Sequence, residues 1–344
     1  MEENKKGLNR KRVLLLLLCG IGLVAVFVAT AAFFVLTPIS KQKTDVYVLL
    51  KPGDGNEVVC KQLETTAKPC RLAGLRLLQI LSEKVRPGRY EMTPSTTAFG
   101  LWRAMRNGRQ VPLRLTLPSV WDMKQMAGRL GERLAADSVQ WAACFSDTAF
   151  CRRYGVTPAT LPCLFIPETY EVYYTVSPEE LMKKLREHYD LFWEKRRVQA
   201  ETMGFSPEEI CTLASIVDKE TANSAEKPKI AGMYLNRLRS GMKLQADPTV
   251  KFGLGDYALR RILHEHLMSE SAYNTYKTEG LPPGPIGMPT QDGIDAVLAD
   301  MKHDYLYMCA NADFSGTHSF ASSYAGHLRN AARYAKALDK RGIK

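Results

Sequence analysis

The sequence predicts an α+β protein carried on a single N-terminal membrane helix, and three observations support that fold class. Val13 to Leu36 is an unbroken run of 24 uncharged residues. Strand-like and helix-like hydrophobic periods alternate between residues 45 and 117. Two capped helix starts, Ser177-Pro178-Glu179-Glu180 and Ser206-Pro207-Glu208-Glu209, then open longer amphipathic segments. At 344 residues, with 45% hydrophobic and 24% charged positions, the chain has enough apolar material for one large or two modest cores, which excludes wholesale disorder and fibrous repetition.

Residues 1 to 12 form a short basic tail. At about 1.5 Å per residue, the apolar run from 13 to 36 reaches ~36 Å, enough for a ~30 Å hydrocarbon layer. Lys5, Lys6, Arg10, Lys11 and Arg12 outnumber Glu2 and Glu3 ahead of it, so the positive-inside rule keeps the N-terminus in the cytoplasm and sends the rest across. Ala29-Thr30-Ala31 would suit signal cleavage, but secretory apolar regions run about 7 to 15 residues, so the expectation is a retained single-pass anchor. Leu18 is too large for a lipobox ahead of Cys19.

After a linker at 37–44, Asp45 to Leu50 reads as a strand closed by the Pro52 to Gly55 turn. Helices follow at Glu57 to Thr65 and Leu72 to Ser82, then a turn at Pro87-Gly88-Arg89-Tyr90, a helix at Leu101 to Asn107 and a strand at Val111 to Leu117. Residues 45–115 thus make a small α+β unit without a catalytic signature, and 116–340 a second, mixed α+β domain. In the latter, Met123, Met126, Ala127 and Leu130 mark a helix over Val120 to Leu134, Cys151 to Tyr174 reads as loops and short strands, and the Ser177 start opens a helix to about Arg197. Glu168, in an aromatic Pro-Glu-Thr-Tyr turn, reads as structural.

The net charge of +11 is dispersed, with no basic block interleaved with aromatics after residue 13. No nucleic-acid partner is expected; an excess of positive charge outside a membrane suits anionic lipid or wall polymer. The eight cysteines contain no C-x-x-C pair, so neither a metal nor a thioredoxin-type site is expected. Bridges Cys60 to Cys70 and Cys144 to Cys151 are open to an oxidising compartment, as are unpaired thiols. No Walker-type string or G-x-G-x-x-G follows a strand, and no cofactor is expected.

The Ser206 start opens a helix over Glu208 to Thr221 whose buried stripe is Ile210, Leu213, Ala214 and Val217. At about 100° per residue, Asp218 and Glu220 leave this helix on opposite flanks and cannot form a dyad. Glu220 lies at the edge of the stripe in the last turn, where a negative charge opposes the helix dipole. That placement suits a raised pKa and proton donation, although periodicity alone favours a solvated Glu paired with Lys219 or Lys227.

Leu213 to Thr221 (LASIVDKET), Tyr234 to Leu238 (YLNRL), Leu244 to Thr249 (LQADPT), Tyr273 to Tyr276 (YNTY), Gly280 to Ile286 (GLPPGPI) and Thr317 to Phe320 (THSF) follow in this order. Together they resemble the endolytic murein transglycosylase family, also called MltG or YceG-like, and weaker similarity reaches back through the PGRY at 87–90 to about Val46. The resemblance implies a LysM-like subdomain over 45–115 and a catalytic domain over 116–340. It implies a lyase of the inner (cytoplasmic) membrane with its catalytic domain on the periplasmic or extracytoplasmic side. Such an enzyme cuts the MurNAc–GlcNAc β-1,4 bond of nascent peptidoglycan to leave a 1,6-anhydroMurNAc end, terminates glycan elongation and associates with peptidoglycan synthases. The family's catalytic Glu is the second acid of its E-K-E-T motif, here Glu220; the first is Asp218, a departure at a position that does not do the chemistry. Where the family often has Asn-Pro-Gly, this chain has Met288-Pro289-Thr290, which puts a site role for Met288 in doubt.

One acid suffices for such a reaction, because an intramolecular hydroxyl replaces the water that an ordinary glycosidase activates with a second carboxylate. Gln245, Asp247 and Thr249, on a Pro-bounded loop, suit hydrogen bonds to sugar groups, with capping of the next segment as the alternative for Asp247. Tyr273, Asn274 and Tyr276 suit stacking on pyranose faces and reading of their edges; a buried turn is the alternative. His318 suits donation to a sugar oxygen or orientation of Glu220, and otherwise reads as a structural histidine. Arg237 suits a supporting salt bridge. Two other functions fit the same sequence: a hydrolytic muramidase using Glu220 and Asp247, and a noncatalytic glycan-binding membrane anchor.

Overall fold

The computed structural model describes residues 2–81, 84–259 and 261–341, and the chain divides into two compact units. The first comprises residues 1–114 with 134–136 and 171–176; the second comprises the remainder from Leu115.

The first unit opens with helix α1 (Glu2–Leu36). The most apolar 18-residue stretch of its Arg12–Leu36 portion has a mean hydropathy of 2.9 and no buried share, and the portion is long and apolar enough to cross a membrane. Strand β1 (Val46–Leu50), helices α2 (Asn56–Leu63) and α3 (Pro69–Leu81), and strand β2 (Gly88–Met92) follow as a βααβ run. β1 and β2 pair antiparallel with Val48 opposite Tyr90. Their alternating inward residues Val48, Leu50, Tyr90 and Met92 join Val59, Leu63 and Leu75 in one core, against which α4 (Ala98–Asn107) packs Leu101 and Met105. The Tyr90 hydroxyl donates to the Arg86 carbonyl at 2.7 Å, and burial pushes its pKa up to about 12.

Gly88-Arg89-Tyr90 therefore begins a strand rather than forming the predicted turn. Its alternation, buried at 88, 90 and 92, is a strand signal that the Pro-Gly dipeptide obscures. The predicted helix end at Ser82 lies outside the described residues.

Strand β3 (Leu113–Thr116) pairs with β4 (Thr169–Val172). Between them lie α5 (Met123–Arg133), α6 (Ser138–Ser146) and α7 (Thr148–Arg152). The sequence reading missed α6 and α7, although Asp137 caps one, with Gln140 completing a capping box, and Asp147 caps the other. Helices α8 (Pro178–Glu194), α9 (Arg197–Thr202) and α10 (Pro207–Glu220) follow, with the predicted Ser177 and Ser206 caps formed and each completed as a capping box. Next come α11 (Lys227–Arg239), α12 (Asp247–Leu254), α13 (His264–Leu267) and α14 (Gln291–Leu298). The hairpin β5 (Tyr307–Ala310) and β6 (His318–Ala321) and helix α15 (Tyr324–Lys340) complete the unit. All eight cysteines are unpaired, so neither Cys60–Cys70 nor Cys144–Cys151 is bridged. Glu168 pairs with His188 at 3.1 Å.

α10 is the axis of this unit. Every residue from Ile210 to Val217 is buried, so the helix is enclosed all round rather than along one stripe. Its polar groups are consumed internally: Thr212 and Ser215 donate to carbonyls one turn back, and Ser215 Oγ accepts from Ile286 N at 2.9 Å. Asp218 accepts from Thr290 N and Oγ1 at 2.7 and 2.9 Å and pairs with Lys227 at 2.7 Å, both side chains less than a tenth exposed. The Pro-rich segment at 280–290 is thereby fastened to α10 at two points. Backbone packs so closely there that a Cβ on Gly284 would stand 2.1 Å from the Ala159 carbonyl oxygen, and one on Gly293 2.4 Å from the Asp218 carboxylate.

Asp218→Ala leaves buried Lys227 with the half-exposed Asp292, 2.9 Å away, as its remaining charged partner beside a 3.4 Å bond to Thr290 Oγ1. The expected cost is about 3 kcal/mol, read as a lowered midpoint in thermal or urea unfolding of the full chain.

Candidate active site

Four elements of the second unit deliver side chains to one cavity of about 270 Å³: the end of α10 supplies Glu220, α11 Tyr234 and Arg237, the segment entering α12 Gln245 and Asp247, and the hairpin Met308 to Ala310 with His318. Tyr276 closes it. Asp218 leaves α10 on the other flank, toward Lys227, so the predicted divergence of the two acids holds.

Tyr234 Oη donates to Glu220 Oε1 at 2.6 Å. Desolvation raises the Glu220 pKa above the usual carboxylate range; the Tyr234 hydrogen bond opposes it, Asp247 reinforces it, and His318 and Lys251 oppose it more weakly. A group in this balance can donate a proton and still has a hydrogen bond ready for its charged form. Burial, with Glu220 beside it, pushes the Tyr234 phenol well up, so it remains a donor.

Asp247 Oδ1 accepts from Tyr276 Oη at 2.7 Å. It is the first residue of α12, after the N-cap Ala246; Asp247 and Thr249 thus lie in a helical first turn, not the predicted loop. Gln245 precedes this turn at φ 50°, a conformation that costs a residue with a Cβ on the order of 1 kcal/mol. Its N–H is fixed on the Thr275 carbonyl at 3.0 Å. His318 Nδ1 lies 3.1 Å from Glu226 Oε2, and the His318 backbone N–H donates to Glu226 Oε1 at 2.6 Å. Glu226, 9% exposed, so fixes both the strand and the ring.

Of the residues proposed from sequence, Glu220, Gln245, Asp247, Tyr276 and His318 meet at the cavity, whereas Thr249, Tyr273 and Asn274 do not line it. Thr249, fully buried, bonds the Ala246 carbonyl and Thr275 Oγ1. Asn274 donates to the Leu267 and Ser269 carbonyls, and its own carbonyl accepts from Tyr276 N. Tyr273 packs on Phe252, centroids 4.6 Å apart. These three hold the wall from behind. Arg237 makes no salt bridge among the described residues; it donates to the Leu306, Lys243 and Leu244 carbonyls. With Asn236 on the His303 and Tyr305 carbonyls, it positions the hairpin. Met288 is buried, its backbone bonded to Val120 and Ser119.

Sequence reasoning missed Tyr234 and Glu226 as site groups. Tyr234 reads as part of an apolar face, and no local pattern links Glu226 to a histidine 92 positions on. No group of three or more His, Cys, Asp or Glu able to hold a metal occurs among the described residues.

A family model described as "YceG-like family" matches residues 48–333. Over 158 residues the chain is 32% identical to an endolytic murein transglycosylase of Bacillus subtilis, covering 46% of this chain and 43% of that protein. Over 282 residues it is 25% identical to an endolytic murein transglycosylase of Streptococcus pneumoniae, covering 73% and 51% respectively. The chain thus spans about half the length of the curated relatives it matches. A crystal structure of a yceG-like protein from Listeria monocytogenes superposes with a TM-score of 0.59 at 26% identity, covering 84% of this chain and 99% of that one.

Because the folded state holds the Glu220 proton more tightly than the unfolded chain, its stabilising contribution is complete below about pH 4 and is lost as pH rises through the raised pKa. Glu220→Gln, which stays neutral and still accepts from Tyr234, should therefore match the wild-type melting temperature near pH 4 and exceed it at pH 8.

Proposed function

The chain belongs to the YceG-like family, and from that premise we propose that it is a membrane-anchored lytic transglycosylase that cuts peptidoglycan glycan strands internally. The observation that carries the reading is a desolvated carboxylic acid, Glu220, held by a buried phenol and facing a cavity lined with polar groups from four elements.

In this reading the Glu220 proton passes to the glycosidic oxygen as the bond between MurNAc C1 and that oxygen breaks, and positive charge spreads over C1 and the ring oxygen. The carboxylate then accepts the proton of the same sugar's C6 hydroxyl as O6 bonds to C1, closing the 1,6-anhydro ring. No water is consumed, and Glu220 ends protonated for the next cycle. Tyr234 occupies one carboxyl oxygen and leaves the other for this traffic. Gln245 and His318 border the space for sugar substituents.

The βααβ run of the first unit, with its antiparallel strand pair, supports a LysM-like glycan-binding role for residues 45–115. The apolar N-terminal helix supports single-pass anchoring with the N-terminus in the cytoplasm of the inner membrane, where the enzyme would terminate strands made by peptidoglycan synthases. Asp247 on the same cavity favours one second reading, hydrolysis with Asp247 activating water.

Digestion of purified glycan strands followed by mass spectrometry separates these readings: products that sum to the strand mass and end in anhydroMurNAc are expected, and products heavier by one water would overturn the transglycosylase assignment. Glu220→Gln should lower the cleavage rate by about 10²- to 10⁴-fold, and retained cleavage would reject Glu220. Tyr234→Phe removes the bond that lowers the Glu220 pKa, so the alkaline limb of the rate profile, where the acid is lost, should move to higher pH. A purely structural Tyr234 would lower the rate without moving that limb.

A further inference from the structure

A second and larger cavity, about 720 Å³, opens on the same hairpin that walls the candidate active site. Its lining includes Tyr305, Phe320, Ser322, Arg329, Asn330 and Arg333. The two cavities are neighbours along β6: His318 borders the first and Phe320 the second, with ring centroids 6.4 Å apart.

The chemistry of the second cavity differs from that of the first. Tyr305 and Phe320 form an aromatic wall, centroids 5.5 Å apart, with the Lys229 ammonium 5.2 Å from the Phe320 ring. Arg329 and Arg333 stand four residues apart on α15, hence on one face and about 6 Å apart along the axis. Neither guanidinium is in an ion pair among the described residues. Arg333 donates to Asn330 Oδ1, whose amide in turn donates to the Phe320 carbonyl at 3.3 Å, tying the helix to the hairpin. No carboxylate among the described residues lines the cavity. Two arginine forks beside an aromatic wall suit a ligand that carries two carboxylates on a partly apolar backbone.

Resting on the glycan-cutting reading above, we infer that this cavity is a subsite for the anionic stem peptide of the strand being cut. MurNAc carries that peptide through its 3-O-lactyl group, so a sugar seated beside Glu220 would project its stem out of the catalytic cavity. Alternate residues of an extended peptide are about 7 Å apart, close to the rise between Arg329 and Arg333. The subsite would make the protein select peptide-bearing over denuded glycan.

Calorimetric titration of the full chain in detergent, carrying Glu220→Gln so that the ligand survives, tests this with two probes: a GlcNAc–MurNAc tetrasaccharide with its stems and the same tetrasaccharide stripped of them. The stem-bearing form should bind about tenfold tighter or more. Arg329→Gln with Arg333→Gln should bring it down to the stripped affinity while that affinity stays unchanged. Should the double Gln variant lose both affinities through misfolding, Arg329→Lys with Arg333→Lys, which keeps the charge, decides: it should retain a preference for the stem-bearing probe. Equal binding of the two probes, or a preference that survives the double Gln variant, overturns the inference. Cleavage by the otherwise unmodified chain is read separately: no cleavage of either strand type would refute the transglycosylase reading, while a stem-dependent affinity would still identify the subsite.

Discussion

The buried ion pair between Asp218 and Lys227 lets a helix as apolar as α10 end in charge. A carboxylate so enclosed is tolerable only because an ammonium and two Thr290 donors surround it. The pair joins α10 to α11 and to the start of α14, two residues before α10 ends. Glu220, two residues on, is aimed by the last turn at the opposite side, into the cavity. One acid holds the frame, and the other stays free of any ion pair among the described residues.

The cavity itself is built from paired groups, each pair joining different elements. Tyr234 of α11 holds Glu220 of α10; Tyr276 holds Asp247 of α12; Glu226, just before α11, holds His318 of β6. Orientation is thus set before any ligand arrives, which is the condition for electrostatic preorganisation. The effects on Glu220 pull in opposite directions. Desolvation favours its protonated form, and the phenol favours its charged form, an opposition of the kind that the proposed donate-and-retrieve cycle would use.

α11 is the second organising element. Through Tyr234 it reaches the acid, and through Asn236 and Arg237 it bonds the backbone leading into β5. The hairpin thus placed serves two cavities of opposite character, one centred on carboxyl groups and one on guanidinium groups. Arg237 borders the cavity while its hydrogen bonds go to the Leu306, Lys243 and Leu244 carbonyls that shape the wall.

The sequence by itself determined the membrane-length helix, the two capping-box helices and the opposed directions of Asp218 and Glu220. Each of these depends on composition or on a fixed angle per residue within one segment. It also identified Glu220, Gln245, Asp247, Tyr276 and His318 as neighbours, but only through the joint resemblance of scattered strings. Tertiary structure alone decided that Thr249, Asn274 and Tyr273 stand behind the wall, that Tyr234 turns its hydroxyl to the acid, and that Glu226 holds His318. Those outcomes depend on which elements pack together across tens of residues, and the same tyrosine or threonine pattern is compatible with either side of a wall until the packing chooses one.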